Sequence, residues 1–210
     1  MFDLRAYTRN SSVDQAEAKP PESRKHSRVT LGLFIILLIS ILVIPIVVSW
    51  YGQRVETLKR WDTQFRQCQV LKFHLDKIGE LLNTSLQTDQ TSQKWFRAEL
   101  HYTSIALYEL RWLDRAHESQ LLKIANMILT LDDNEPYLMN LNSTAKSSVA
   151  KSLFNISNKA LNAYSNFLNY THSTVGIGPP FWYSGPSPPD ETLLEEAVQL
   201  ANEIKVAVTQ

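Results

Sequence analysis

Histidine is the first residue type to test for chemistry, because an imidazole can act as a general base near neutral pH and as a metal ligand. The chain has five histidines: His26, His74, His101, His117 and His172. His74 and Asp76 are two positions apart and His117 and Glu118 are adjacent, so each pair diverges on a helix. The sequence holds no HExxH, ExxH or glycine-rich phosphate-loop motif. We therefore predict no catalytic residues, no metal and no cofactor, with a metal ion held between helices as the alternative.

Sequons of the form Asn-x-Ser/Thr carry a second kind of chemistry, the attachment of N-linked glycans to the surface of exported proteins. Four follow the long apolar segment described below, and they begin at Asn83, Asn142, Asn155 and Asn169. We predict that these four asparagines are glycosylated. The alternative is that a polar helix face rich in Asn and Ser produces sequons through its composition alone.

Cys68 is the only cysteine, so the chain has no intramolecular disulfide. It falls on the apolar stripe of a predicted helix, where a free cysteine behaves as a small hydrophobic residue. We predict that Cys68 is buried. The alternative is an intermolecular disulfide in a parallel homodimer, because a membrane anchor would hold two such helices in register.

Residues 173–190 are the strongest candidate for binding. Their sequence is STVGIGPPFWYSGPSPPD, in which five prolines and three glycines prevent a regular helix or strand. Three consecutive aromatic residues in this segment would offer a large contact area at a low entropic cost. We predict that Phe181, Trp182 and Tyr183 bind a protein partner. The alternative is that the three rings fold back and cap one end of the domain.

The element that positions these residues is an apolar segment from Val29 to Tyr51, VTLGLFIILLISILVIPIVVSWY. It has 23 residues without a charge, whereas a helix needs about 20 to cross a bilayer. We predict a transmembrane helix that Pro45 kinks, with Trp50 and Tyr51 in the interfacial aromatic belt. A cleaved signal peptide is the alternative, because Val47 and Ser49 would suit a cleavage site.

The charges that flank this segment predict its orientation. Arg24, Lys25 and Arg28 directly precede it, whereas only Arg54 follows as closely. The positive-inside rule then places residues 1–28 in the cytoplasm and residues 52–210 on the extracytoplasmic side. Residues 1–28 are rich in Ser, Pro and charged residues, so we predict a disordered tail.

Apolar residues recur at steps of three and four through most of residues 52–210, which predicts helices. We predict that the first helix continues from the membrane to about Asn83. A second would run from about Ser92 to Leu131, a third from about Tyr137 to Tyr170, and a shorter one from Asp190. The second helix has another apolar stripe, His101, Ile105, Tyr108 and Trp112, and a helix apolar on two sides is usually central.

The predicted fold class is therefore all-α, with a single N-terminal transmembrane helix followed by an antiparallel helical bundle of three long helices and one shorter C-terminal helix. The 173–190 loop would lie at the end farthest from the membrane. This architecture resembles that of bacterial sensor ectodomains, although those normally have a second membrane helix after the bundle.

The sequence favours a non-enzymatic, membrane-anchored module that binds another protein, such as an accessory subunit of a membrane complex. One alternative is a sensor-like domain that binds a small ligand between helices, near Tyr102, Tyr108 and Trp112. A membrane-anchored enzyme is the other. A formal net charge of zero gives no basic field for nucleic acid, so we predict none as a partner.

Overall fold

The structure is a computed structural model that describes residues 23–84, 90–174 and 188–209. The described residues form six α-helices and no strand. The helices are α1 Ser23–Thr84, α2 Gln90–Leu113, α3 Glu118–Asp133, α4 Glu135–Asn140, α5 Ser143–Thr174 and α6 Glu191–Thr209. The prediction of an all-α bundle with one long apolar helix near the N-terminus is confirmed.

The chain divides into two compact units, with the boundary between Ser49 and Trp50. The described part of the first unit is the beginning of α1, where the most apolar window of 18 residues has a mean hydropathy of 3.3 and no buried residue. Among the described residues, α1 is the one helix long and apolar enough to cross a membrane. Pro45 lies inside this helix, as the sequence predicted.

The second unit is a helical bundle with a continuous apolar core. Cys68, Leu71 and Leu75 of α1 are fully buried in it, as is Tyr164 of α5. The other helices contribute apolar residues at helical spacing, which include Phe96, Leu107, Leu121, Ile124, Leu138, Leu153, Ile156, Leu194, Ala197 and Ile204. The prediction that Cys68 is a packed core residue is therefore correct, and its burial leaves no surface thiol for a disulfide between copies.

The predicted second helix is wrong in one respect, because it is two helices joined by a sharp turn at residues 114–117. An ion pair between Arg97, near the start of α2, and Glu135, just after the end of α3, shows that the two helices are antiparallel. The carbonyl oxygen of Leu113 ends α2 and accepts hydrogen bonds from Arg60 at 3.1 and 3.2 Å and from Gln64 at 3.0 Å. Side chains of α1 thus supply the hydrogen-bond donors that the backbone of a further helical turn would otherwise have supplied.

The predicted third helix is also divided, into the short α4 and the long α5. The Asn142 side-chain oxygen accepts a hydrogen bond of 2.7 Å from the backbone N–H of Ala145, and this cap starts α5. Asp190 caps α6 in the same way, with hydrogen bonds of 3.0 Å from Thr192 N–H and 3.3 Å from Leu193 N–H. The predicted start of the last helix is therefore correct.

Successive long helices of the second unit run in opposite directions. Between α1 and α5, Phe65 contacts Phe167 with ring centroids 5.4 Å apart, and Asp76 accepts a hydrogen bond of 2.6 Å from Ser157. Between α5 and α6, the backbone N–H of Asp190 donates to the carbonyl of Ala163 at 2.9 Å. We call the end of the bundle near residues 60–65 of α1 the entry end.

This arrangement corrects the predicted position of the 173–190 loop. The extra reversal between α2 and α3 makes α5 run toward the entry end, and α6 starts there. Both described flanks of the loop therefore lie at the entry end and not at the opposite end. Phe181, Trp182 and Tyr183 themselves lie outside the described residues.

Candidate functional site

The outward face of α2 carries a row of exposed apolar side chains. The core side of α2 buries Phe96, Leu100, Thr103, Ala106, Leu107 and Leu110. On the side away from that core lies a second row, which we call the outer stripe: Trp95, Ala98, Tyr102, Ile105, Glu109 and Trp112. Its members are spaced alternately by three and four residues, so they form one continuous line along the helix.

The large side chains of the outer stripe remain exposed to solvent. The exposed fractions are 59% for Trp95, 49% for Tyr102, 42% for Ile105 and 65% for Trp112. Tyr108, beside the stripe, is 66% exposed. The sequence predicted α2 to be central because of a second apolar row, His101, Ile105, Tyr108 and Trp112, but all four of these side chains are exposed in the described residues.

Exposed apolar residues of α1 extend this surface. Val70 and Phe73 of α1 are exposed, and the His74 ring stacks on Tyr102 with centroids 5.4 Å apart. His74 Nδ1 lies 2.6 Å from the Glu99 carboxylate, which fixes the imidazole beneath the tyrosine ring. This stack connects the two helices in the middle of the patch.

An open groove of about 410 Å³ runs between α1 and α2 toward the entry end. Its walls are formed by Thr63, Gln67, Tyr108, Glu109, Trp112 and Leu113. A pocket for a small molecule usually encloses most of the ligand surface. This groove has neither a roof nor a converging set of polar groups, and Tyr102 is not part of its lining.

Glu109 is the one acidic residue of the outer stripe, and its environment differs from that of nearby carboxylates. Asp62 pairs with Arg66 at 2.8 Å, Glu99 with His74 at 2.6 Å and Glu118 with Arg111 at 2.7 Å. Glu109 forms no ion pair or hydrogen bond with any side chain in the part of the chain that the structure describes.

A buried polar cluster joins the α2–α3 turn to α5. The Tyr164 hydroxyl donates a hydrogen bond of 2.7 Å to Asp114, whose carboxylate also lies 3.0 Å from His117 Nδ1. Burial, followed by the nearby negative charge of Asp114, raises the pKa of Tyr164 far above its ordinary value. The phenol therefore stays protonated as a donor, and the cluster fixes the position of the turn.

The cluster does not bring a nucleophile to the histidine. His117 Nε2 points to the exposed Glu191 carboxylate at 3.6 Å. Burial raises the pKa of the nearby Cys68 thiol far above its usual range, so the thiol is not a reactive thiolate. In the described ranges no group of three or more His, Cys, Asp or Glu side chains could hold a metal ion.

The predicted glycosylation sites lie on other parts of the bundle. Asn83 at the end of α1, Asn142 before α5 and Asn155 on α5 are all exposed. The side chain of Asn169 is outside the described residues, as are the three rings of the 173–190 loop.

Sequence reasoning found Tyr102, Tyr108 and Trp112 of α2 but neither Trp95 nor Glu109. The alternating spacing from Trp95 to Trp112 was the available signal, and it passes directly through position 109.

Comparison with protein families, with curated proteins and with solved structures finds no match to this chain. Its function must therefore be inferred from its own residues and their geometry.

Proposed function

We propose that this chain is a non-enzymatic, single-pass membrane protein whose helical domain binds a helix of another protein through the outer stripe of α2. In this role it would serve as an accessory subunit of a membrane complex. The observation that carries the proposal is a row of exposed aromatic and aliphatic side chains on the face of α2 opposite its core.

The size of the patch supports binding of a macromolecule. Phe73, Tyr102, Tyr108 and Trp112 are each about half to two thirds exposed, and rings of this size have about 150–250 Å² each to bury. Together they present roughly 450 Å² of surface, within the range of about 300–600 Å² that is typical of the largest and often functional patch on a monomer. Val70, Ile105 and Trp95 add to it.

The spacing of the patch favours a helix as the bound element. Alternating steps of three and four along α2 match the seam of a coiled coil, in which side chains of one helix enter gaps between side chains of the other. The neighbouring α1 supplies a second wall through Thr63 and Gln67. Two antiparallel helices with an open groove between them can accept an amphipathic helix.

The binding proposal can be tested by affinity capture of the full chain from detergent-solubilised membranes. Ile105→Asp should remove at least about nine tenths of the captured partner, because it places a charge in the middle of an apolar seam. Leu129→Asp is the matched control, since Leu129 is 53% exposed on α3 and away from the stripe. Equal capture by both variants would contradict the proposal.

Phe181, Trp182 and Tyr183 are proposed as a second contact for the same partner. The flanks of their loop lie at the entry end, where Trp112 also lies. Replacement of Phe181 and Trp182 by Ala should weaken capture and leave the melting temperature unchanged. If the melting temperature instead falls by several degrees, the rings cap the core and do not bind the partner.

For the membrane topology, we propose that Val29–Tyr51 spans the bilayer uncleaved, with residues 52–210 on the extracytoplasmic side. The basic residues before the segment support this orientation. Protease added to intact cells should remove the C-terminal domain and spare the N-terminal tail. Protection of the C-terminal domain would reverse the orientation.

The same orientation would allow glycans at Asn83, Asn142, Asn155 and Asn169. Translation in the presence of microsomes should give a product that loses mass on treatment with a glycosidase, and each Asn→Gln variant should remove one step of that shift. A product without any shift would contradict the glycans.

A ligand receptor is the second candidate, because the groove volume of about 410 Å³ is within the range of small-molecule sites. Its open form makes this function less favoured than helix binding.

A further inference from the structure

The outer stripe contains one residue that does not fit a simple apolar seam. In coiled-coil notation, Trp95, Tyr102 and Glu109 occupy equivalent a positions, and Ala98, Ile105 and Trp112 occupy d positions. Five of these six side chains are apolar or aromatic, and Glu109 is acidic. A charged residue at a single a position reduces the stability of a coiled coil but determines which helix can pair with it.

Within the described part of the chain, no Lys, Arg or His side chain pairs with Glu109. The opposite wall of the groove next to Glu109 consists of the uncharged Thr63 and Gln67. At this end Arg60 binds the Leu113 carbonyl and Arg111 binds Glu118, and in the described residues Lys59 forms no ion pair with Glu109. A helix bound along the stripe would cover Glu109 and would have to supply the opposite charge itself.

Resting on the proposed function, we infer that the occupant of the outer stripe is an amphipathic helix of a different protein, with apolar residues at heptad spacing and a Lys or Arg opposite Glu109. The aliphatic stem of such a cation would pack between Tyr108 and Trp112, and its charge would meet both the carboxylate and the aromatic faces.

The same residue excludes a second copy of this chain as the occupant. Two copies anchored in one membrane are parallel, and in a parallel pair of helices each a residue faces its own counterpart. The two Glu109 carboxylates would then face each other in a seam from which water is removed. Complementary charge favours the foreign helix, and like charge disfavours the homodimer.

Two synthetic helical peptides of about three heptads provide a direct test. Both carry Leu at every a and d position except one central a position, which is Lys in one peptide and Glu in the other. Binding to the full chain in lipid nanodiscs can be measured by fluorescence anisotropy of the labelled peptide. The Lys peptide should bind at least about tenfold more tightly than the Glu peptide.

Variants of the chain separate this inference from the proposed function. Glu109→Gln should remove most of the difference between the peptides, and Glu109→Lys should reverse it. Equal affinity of both peptides for the unmodified chain would overturn the role of Glu109 while leaving helix binding intact. Failure of both peptides to bind would overturn the proposed function as well. Ile105→Asp should bind neither peptide.

The oligomeric state gives a second measurement that needs no peptide. The unmodified chain should be monomeric in detergent by light scattering, and Glu109→Leu should shift it toward a dimer that Ile105→Asp abolishes. A dimer of the unmodified chain that Ile105→Asp dissociates would show that a second copy is the occupant. A Glu109→Leu variant that stays monomeric up to high micromolar concentration would contradict the exclusion by Glu109.

Discussion

Replacing Tyr164 with Phe is the most direct test of how the bundle holds its unpredicted turn. Tyr164 is fully buried, and its hydroxyl donates to Asp114, which is itself 2% exposed. Phe fills the same volume without the hydroxyl, so the change removes a hydrogen bond and creates almost no cavity. Hydrogen bonds to charged groups contribute about 1.5–3 kcal/mol, and we expect the free energy of unfolding to fall by that amount.

Thermal unfolding of the full chain in detergent, followed by circular dichroism, can measure this loss. For a domain of this size about 1 kcal/mol corresponds to roughly 2–4 °C, so the melting temperature should fall by roughly 4–10 °C. Tyr137→Phe is the control, because Tyr137 is an exposed phenol on α4. The double variant with Asp114→Asn should lose less than the sum of the two single variants.

A Tyr164→Phe variant that unfolds within about 0.5 kcal/mol of the unmodified chain would refute this reasoning. That result would mean that the carboxylate of Asp114 is satisfied by His117 alone, and that the turn is held by the α1 side chains on the Leu113 carbonyl.

Three further predictions concern the core. Burial raises the pKa values of Cys68 and Tyr164, so the folded state keeps protons that the unfolded state releases above about pH 8.5 and pH 10. The free energy of unfolding should therefore be unaffected below these pH values and fall above them, by up to about 1.4 kcal/mol per pH unit for each group. Urea unfolding measured at a series of pH values would contradict this if the free energy did not change with pH. Cys68 should resist thiol reagents until the domain unfolds, and rapid labelling of the native chain would instead place the thiol at the surface. Cys68→Ser should lower the free energy of unfolding by about 1–3 kcal/mol. A Cβ at Gly79 would lie 2.9 Å from the Phe154 ring, whereas one at Gly52 would meet nothing within 4 Å. Gly52→Ala should therefore raise the free energy of unfolding by about 0.5–1 kcal/mol through helix propensity, and Gly79→Ala should raise it less or lower it. Equal gains in the two variants would rule out a close contact with the ring.

The helical class of the fold could be predicted from the sequence because the apolar spacing of the core helices is regular. The break after α2 could not, because no Gly or Pro marks residues 113–117. Leu110 and Leu121 are eleven residues apart, which is close to three helical turns, so the spacing is the same whether the helix continues or folds back. The break depends on partners distant in sequence, such as Arg60 and Tyr164.

The candidate site could also be predicted from the sequence only in part. The spacing of His101, Ile105, Tyr108 and Trp112 revealed a second apolar row on α2, but spacing alone does not say whether another helix covers it. Coverage depends on how the remaining helices pack, and the turn at residues 114–117 sends α3 to the other side of α2. The hidden row predicted from the sequence is therefore an open surface.

The turn at residues 114–117 also determines the direction of every helix that follows it. Each reversal exchanges the end of the bundle at which all later segments lie, so one added reversal moves every later landmark to the other end. Asn142 lies at the end opposite the entry, whereas the flanks of the 173–190 loop lie at the entry end. A substitution that straightened this turn would move every downstream helix and loop to the other end of the bundle, and its effect would extend far beyond the length of one helix.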